Sequence, residues 1–257
     1  MKLKLVPARR GAGWARQGIS VFFRKPIAFC LLILIVLFAG PLLLLAAPLA
    51  SLGFMIATRR ALEGRMPHPG VFIEPLRASA VQRGAQLRLG LGYALAAGLA
   101  LWLALGVGGT ALENLGEAMR AGGASPDEMQ KLLDDPSVQS ARLLLMGCIA
   151  LLAIPFWHAP ALVHWGRLGA AQALFYSTVA CWRNKGALGV FMLSWWAISM
   201  VMALVWMPVA MLLGLSPFSM GTLAPVVVIL SAAFYASLYF TYADSFEPDP
   251  TPEETPS

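Results

Sequence analysis

Few side chains in this sequence could do chemistry in an apolar environment, and His158 and His164 stand out among them. Both lie in Leu143–Trp165, an apolar stretch also interrupted by Pro155 and Pro160. An ionisable residue within a membrane segment is by default a candidate for a proton path or a ligand contact. The spacing argues against a paired site, because six positions at 100° per residue place the two rings about 120° apart around a helix. Pro155 also leaves backbone carbonyls without a donor, and His158 is close enough in sequence to help satisfy them. His68, the remaining histidine, sits in a Pro67–Gly70 turn and is expected to be solvated.

An enzyme would need a nucleophile with a base, paired acids or a metal cluster. Residues 110–142 hold six acids, Glu113, Glu117, Asp127, Glu128, Asp134 and Asp135, but without the ligand spacing of a calcium loop. GxSxG, HExxH, Walker A and Rossmann glycine patterns are absent from the sequence. Cys30, Cys148 and Cys181 fall in or beside apolar stretches and form no CxxC pair, so they read as small apolar residues rather than disulfide partners. The expectation is a non-enzymatic protein with no cofactor and no metal.

The elements that carry these residues are membrane helices. Hydrophobic residues make up 58% of the chain and charged residues 12%, with mean hydropathy +0.70, against about 25% charged in soluble domains. The net charge of +6 does not imply nucleic acid, since the Lys and Arg residues cluster in 1–26, 59–88 and 164–187 while the acids gather in 110–142. That asymmetry is the positive-inside pattern, and the same basic segments attract anionic lipid headgroups.

An uncharged run, Ile27–Thr58, is too long for one upright span and short for two. Basic clusters at both ends favour a hairpin broken at Gly40-Pro41 over one long kinked helix. The 26 residues before this run and its length speak against a cleaved signal peptide. The full expectation is an all-α, polytopic helical bundle with about six transmembrane helices. These cover about 27–39, 41–58, 89–109, 143–165, 187–213 and 222–242, within a membrane domain of 27–243. Residues 1–26 form a basic cytoplasmic segment and 244–257 a disordered acidic tail. Both termini are cytoplasmic.

Two amphipathic stretches should lie at the interface. In residues 11–25 Trp14, Gly18, Val21 and Phe22 share one helical face and Arg16, Gln17, Ser20 and Arg24 the other, with Lys25 at the membrane entry. Residues 169–185 close on Trp182, Arg183 and Lys185. Along the third span Gly92, Ala96, Ala100, Ala104 and Gly108 recur every four residues, a small-residue ridge that lets helices approach closely in lipid. Ser125-Pro126-Asp127-Glu128 and Asp135-Pro136 are helix starts.

The motifs Trp14-x3-Gly18-x3-Phe22-x3-Pro26, Gly53-Phe54 and Pro155…Ala159-Pro160…Ala180-Cys181-Trp182-Arg183-Asn184 resemble an uncharacterised family of proteobacterial multi-span inner-membrane proteins. That family broadly resembles the membrane domains attached to some glycerophosphodiester phosphodiesterases. The likeness covers most of residues 8–242 and implies an inner-membrane location, but no activity and no catalytic residues. Residues and resemblance together point to a membrane scaffold or accessory subunit that contacts the bilayer, anionic lipids and a membrane-protein partner, without nucleic acid. The alternative is a transporter or channel for a small solute, lacking a buried-carboxylate coupling site.

Overall fold

The structure, a computed structural model, describes residues 2–40, 43–121, 125–215 and 220–247. Helix α1, Arg10–Arg24, is followed at once by α2, Pro26–Phe38, and the pair is bent by 103°. The bend has a local cause. Lys25 precedes a proline, which disfavours the helical region for it, and it adopts φ −144° and ψ 56°. The uncharged run then breaks at Gly40, whose φ of +53° suits a residue without Cβ; Pro41 lies outside the described residues. Helix α3 covers Leu43–Leu62.

Helix α4, Ala80–Ala121, carries a non-helical Gly109 (φ 47°, ψ −137°) that separates its apolar length from the acidic end. Helix α5, Pro126–Leu133, starts with the capping box expected from sequence: the Ser125 hydroxyl accepts from the Glu128 N–H, and the Glu128 carboxylate accepts from the Ser125 N–H. Asp135 caps α6, Pro136–Phe156. After a break come α7, Ala159–His164, α8, Ala170–Arg183, α9, Lys185–Leu212, and α10, Met220–Ser245.

Among the described residues, four segments are long and apolar enough to cross a membrane: Ala80–Ala121, Pro136–His164, Lys185–Leu212 and Gly221–Ser245. The bent pair α1–α2 would make a fifth. These four match the third to sixth expected spans. The first two expected spans differ: α2, with 13 residues, covers about 20 Å, less than the roughly 30 Å hydrocarbon core. The fold is therefore all-α and membrane-type, with four to five candidate spans.

Helix α3 forms the centre. Leu52, Phe54, Met55, Ile56 and Ala57 are buried together, Phe54 stacks on Tyr235 of α10 at 5.0 Å, and the Thr58 hydroxyl donates to the Ala236 carbonyl at 3.0 Å. Helix α1 packs against α9 and α10, and two glycines make this approach feasible. A Cβ at Gly18 would overlap the Ser237 backbone, and one at Gly11 would overlap the Ala187 carbonyl.

The expected disordered tail needs correction. Asp244 and Ser245 complete α10, and Phe246–Glu247 pair antiparallel with Lys2–Leu3. A Lys4–Glu247 ion pair of 2.8 Å reinforces the ribbon. Residues 248–257 lie outside the described residues.

Candidate functional site

His158 occupies a break in the helical ladder. Pro155 near the end of α6 removes a backbone donor, and the His158 N–H turns to the Ser177 hydroxyl of α8 (3.0 Å) instead of the Ile154 carbonyl. Ser177 in turn donates to that carbonyl at 3.1 Å, and the Cys181 thiol approaches it at 3.4 Å. A side chain inserted into the i→i−4 ladder is a recognised cause of kinking. Burial pushes the Cys181 thiol up to about 12, which suits a packing residue and not a nucleophile.

The His158 ring is 1% exposed. It meets Phe246 edge-on at 5.4 Å and tilts toward Tyr242 at 6.3 Å, while among the described residues its Nδ1 has no hydrogen-bond partner. His164 has different neighbours. It ends α7 with its ring edge-on to Trp165 at 5.5 Å, and its carbonyl accepts from Gln82 at 3.0 Å. Among the described residues the two rings meet different neighbours, and the helix break at His158 means that the angular spacing of a continuous helix does not relate them.

The expected interfacial residues divide into two groups. Arg16 and Arg24 are exposed and Lys25 half-buried. Trp182 is 71% exposed, the Lys185 ammonium sits 4.9 Å from its ring centroid, and Arg183 is exposed beside them. Trp14 is the correction. It is fully buried, edge-on to Phe191 at 6.1 Å, and its indole N–H donates to Asp244 at 2.7 Å. The apolar stripe of α1 faces α9 and α10, so the expected headgroup anchor is a core residue.

The small-residue ridge on α4 is used over part of its length. Ala100, Ala104 and Gly108 are buried, with Gly108 facing Ala141 of α6, whereas Ala96 is half-buried and Gly92 is exposed.

Several polar residues that the sequence did not single out hold the elements together. The Asn184 side-chain oxygen accepts from the Val6 N–H at 3.0 Å, and its amide donates to the Lys4 carbonyl at 3.1 Å and to Ser245 at 3.2 Å. Gln86 donates to the Pro160 carbonyl at 2.8 Å. Asp244 binds Arg10 (2.6 Å) as well as Trp14. Their partners lie up to 234 residues away, so no local pattern announces them. Asn184 alone carried a signal, by closing the Trp182-Arg183-Asn184 motif.

At the basic end of α3, Arg60 pairs with Glu74 at 2.7 Å and lies 2.6 Å from His68 Nε2. Arg65 and Arg59 bracket Glu63 and hold its carboxyl below the usual range.

No family model and no solved structure matches the chain. A probable inner membrane protein of Burkholderia thailandensis is 33% identical over 259 residues, covering 96% of this chain and 94% of the relative. With that relationship and the apolar helices above, the chain belongs to the family of that probable inner membrane protein and is a bacterial transmembrane protein built from α-helices.

Proposed function

We propose that the protein is a non-enzymatic scaffold or accessory subunit of the inner membrane, with both termini cytoplasmic. One observation carries this reading: four buried or partly buried polar side chains, Thr58, Gln86, Ser177 and Asn184, bond one element of the fold to another. Thr58 donates to the Ala236 carbonyl, Gln86 to the Pro160 carbonyl, Ser177 to the Ile154 carbonyl, and Asn184 joins the N-terminal segment to the end of α10. Burying a polar group is costly unless it is paired, and these pairings fix helix positions.

The charge asymmetry between residues 1–88 and 110–142 supports the orientation. It also sets Arg16, Arg24, Lys25, Trp182, Arg183 and Lys185 against anionic headgroups. In this reading α2 and α3 are a short membrane pair that completes a six-helix arrangement.

Helix α9 offers the surface for that partner, exposing Met200, Leu204, Val205, Met211 and Leu212. A photo-crosslinking residue placed at Leu204 in living cells tests this. A discrete protein adduct is expected, and adducts to lipid alone would count against a partner on this face.

A second reading, a facilitator for a small solute, is favoured by a cavity of about 160 Å3 lined by Ser51, Tyr93, Trp157 and Tyr235. Under that reading Ser51→Ala and Tyr93→Phe change solute flux at normal protein abundance, and under the scaffold reading they do not.

A further inference from the structure

The end of α3 builds a basic cavity that the scaffold role does not require. Gly64, at φ +76°, reverses the chain. The Arg65 N–H returns to the Arg60 carbonyl (2.8 Å) and the Gly64 N–H to the Ala61 carbonyl (3.2 Å), the paired bonds of a Schellman cap. This reversal folds Arg65 back beside the last turn of α3. The result is a cavity of about 230 Å3 lined by Ile56, Arg59, Arg60, Arg65, Glu74 and Trp165.

Three properties of this cavity point to one ligand chemistry. Its volume lies below the roughly 300–1,000 Å3 of sites for drug-sized ligands, so it suits a small group. Its walls carry three guanidiniums against one carboxylate. Arg59, Arg60 and Arg65 use few of their N–H groups on Glu63, Glu74 and His68, and a guanidinium fork offers more donors than these pairs consume. The cavity also opens where the uncharged run of α3 ends, beside a tryptophan, the level at which headgroups lie.

We propose that this cavity binds a single phosphate group, held by Arg59 and Arg65 at its outer side and by Arg60, only 22% exposed, at its inner side. Glu63 is the resident competitor. It bridges Arg59 and Arg65 from within the chain, and an incoming phosphate takes over those donors. The group comes from an anionic phospholipid or from a soluble phosphate. The lipid source rests on the basic rim facing headgroups, whereas phosphate binding itself does not depend on the scaffold reading.

The test uses the full-length protein and two probes. In uncharged detergent, thermal unfolding is followed against inorganic phosphate, since a ligand of the folded state raises the midpoint. In nanodiscs of phosphatidylcholine with or without phosphatidylglycerol, native mass spectrometry counts the lipids retained after extraction. The double substitution R59Q/R65Q should weaken binding by about tenfold or more, as charge-assisted hydrogen bonds are lost. E63Q should strengthen it several-fold.

Selective phosphatidylglycerol retention without a response to inorganic phosphate assigns the lipid source, and the reverse assigns a soluble anion. Equal behaviour of wild type, R59Q/R65Q and E63Q with both probes overturns the proposal. If R59Q/R65Q does not fold, E63Q decides alone, and no gain over wild type overturns it. Loss of the partner in a crosslinking experiment would leave these results untouched.

Discussion

Replacing Asp244 is the most informative perturbation, because one carboxylate ties the end of α10 to α1. Its Oδ2 accepts from the Trp14 indole at 2.7 Å and from Arg10 Nε at 2.6 Å. The Arg10 and Asp244 side chains are 44% and 27% exposed, so screening limits the ion pair to about 0–1 kcal/mol. Trp14 is fully buried, and a hydrogen bond from a buried donor to a charged acceptor contributes about 1.5–3 kcal/mol. Asp244→Ala should therefore cost about 1.5–4 kcal/mol. Asp244→Asn keeps an acceptor oxygen and should cost roughly 1 kcal/mol. Thermal unfolding in a mild uncharged detergent, followed by circular dichroism, reads this as a drop of about 3–16 °C for Asp244→Ala, at 2–4 °C per kcal/mol for a chain near this size. A cycle with Trp14→Phe isolates the shared bond, with an expected coupling of about 1–2 kcal/mol. Unchanged stability in Asp244→Ala, or full additivity in the cycle, would refute this account of how α10 is fastened to α1.

Gly18→Ala should cost at least about 1–3 kcal/mol of overpacking, because its Cβ meets the Ser237 backbone rather than a flexible side chain, and the same unfolding assay reads it. Ser177→Ala removes both bonds at the α6–α7 break; a loss of about 1–2 kcal/mol is expected, with function falling only as far as protein abundance falls. The Glu128 carboxyl is held below its ordinary value by the Ser125 backbone and side chain. A lowered folded-state value contributes stability that is present above the unfolded carboxyl value and lost as pH falls through the folded one. Hydrogen exchange across residues 126–133, corrected for intrinsic rates, should show α5 protected near pH 6 and less protected on acidification below the carboxylate range, with Glu128→Gln largely insensitive.

Much of the helical framework is legible in the residues. The last four expected spans correspond to α4, α6–α7, α9 and α10 because uncharged runs of that length have few other outcomes. The starts at Ser125 and Asp135 follow from capping chemistry that is local by nature. The break at His158 was foreshadowed by Pro155, although it is Ser177, from another helix, that donates to the Ile154 carbonyl which the His158 N–H leaves. What stayed hidden depends on distant partners. An apolar stripe with an aromatic residue looks the same whether it faces lipid or protein, so Trp14 read as a headgroup anchor until α9 and α10 covered it. Asp244 stands at the entrance to a Pro- and Glu-rich tail, and composition says nothing of an arginine 234 positions earlier. The cavity at Arg65 depends on the reversal at Gly64, a single positive φ. Basic charges near a span looked like an ordinary flank.

The central claim, a membrane scaffold or accessory subunit whose polar groups serve architecture, is tested most directly by extracting the tagged full-length protein in native membrane discs and identifying what accompanies it by mass spectrometry. The account predicts a stoichiometric membrane-protein partner that Leu204→Arg on the exposed face of α9 releases. A single enriched solute, with no protein partner in wild type or variant, would contradict it and leave the cavity at Ser51 and Tyr93 as the working site.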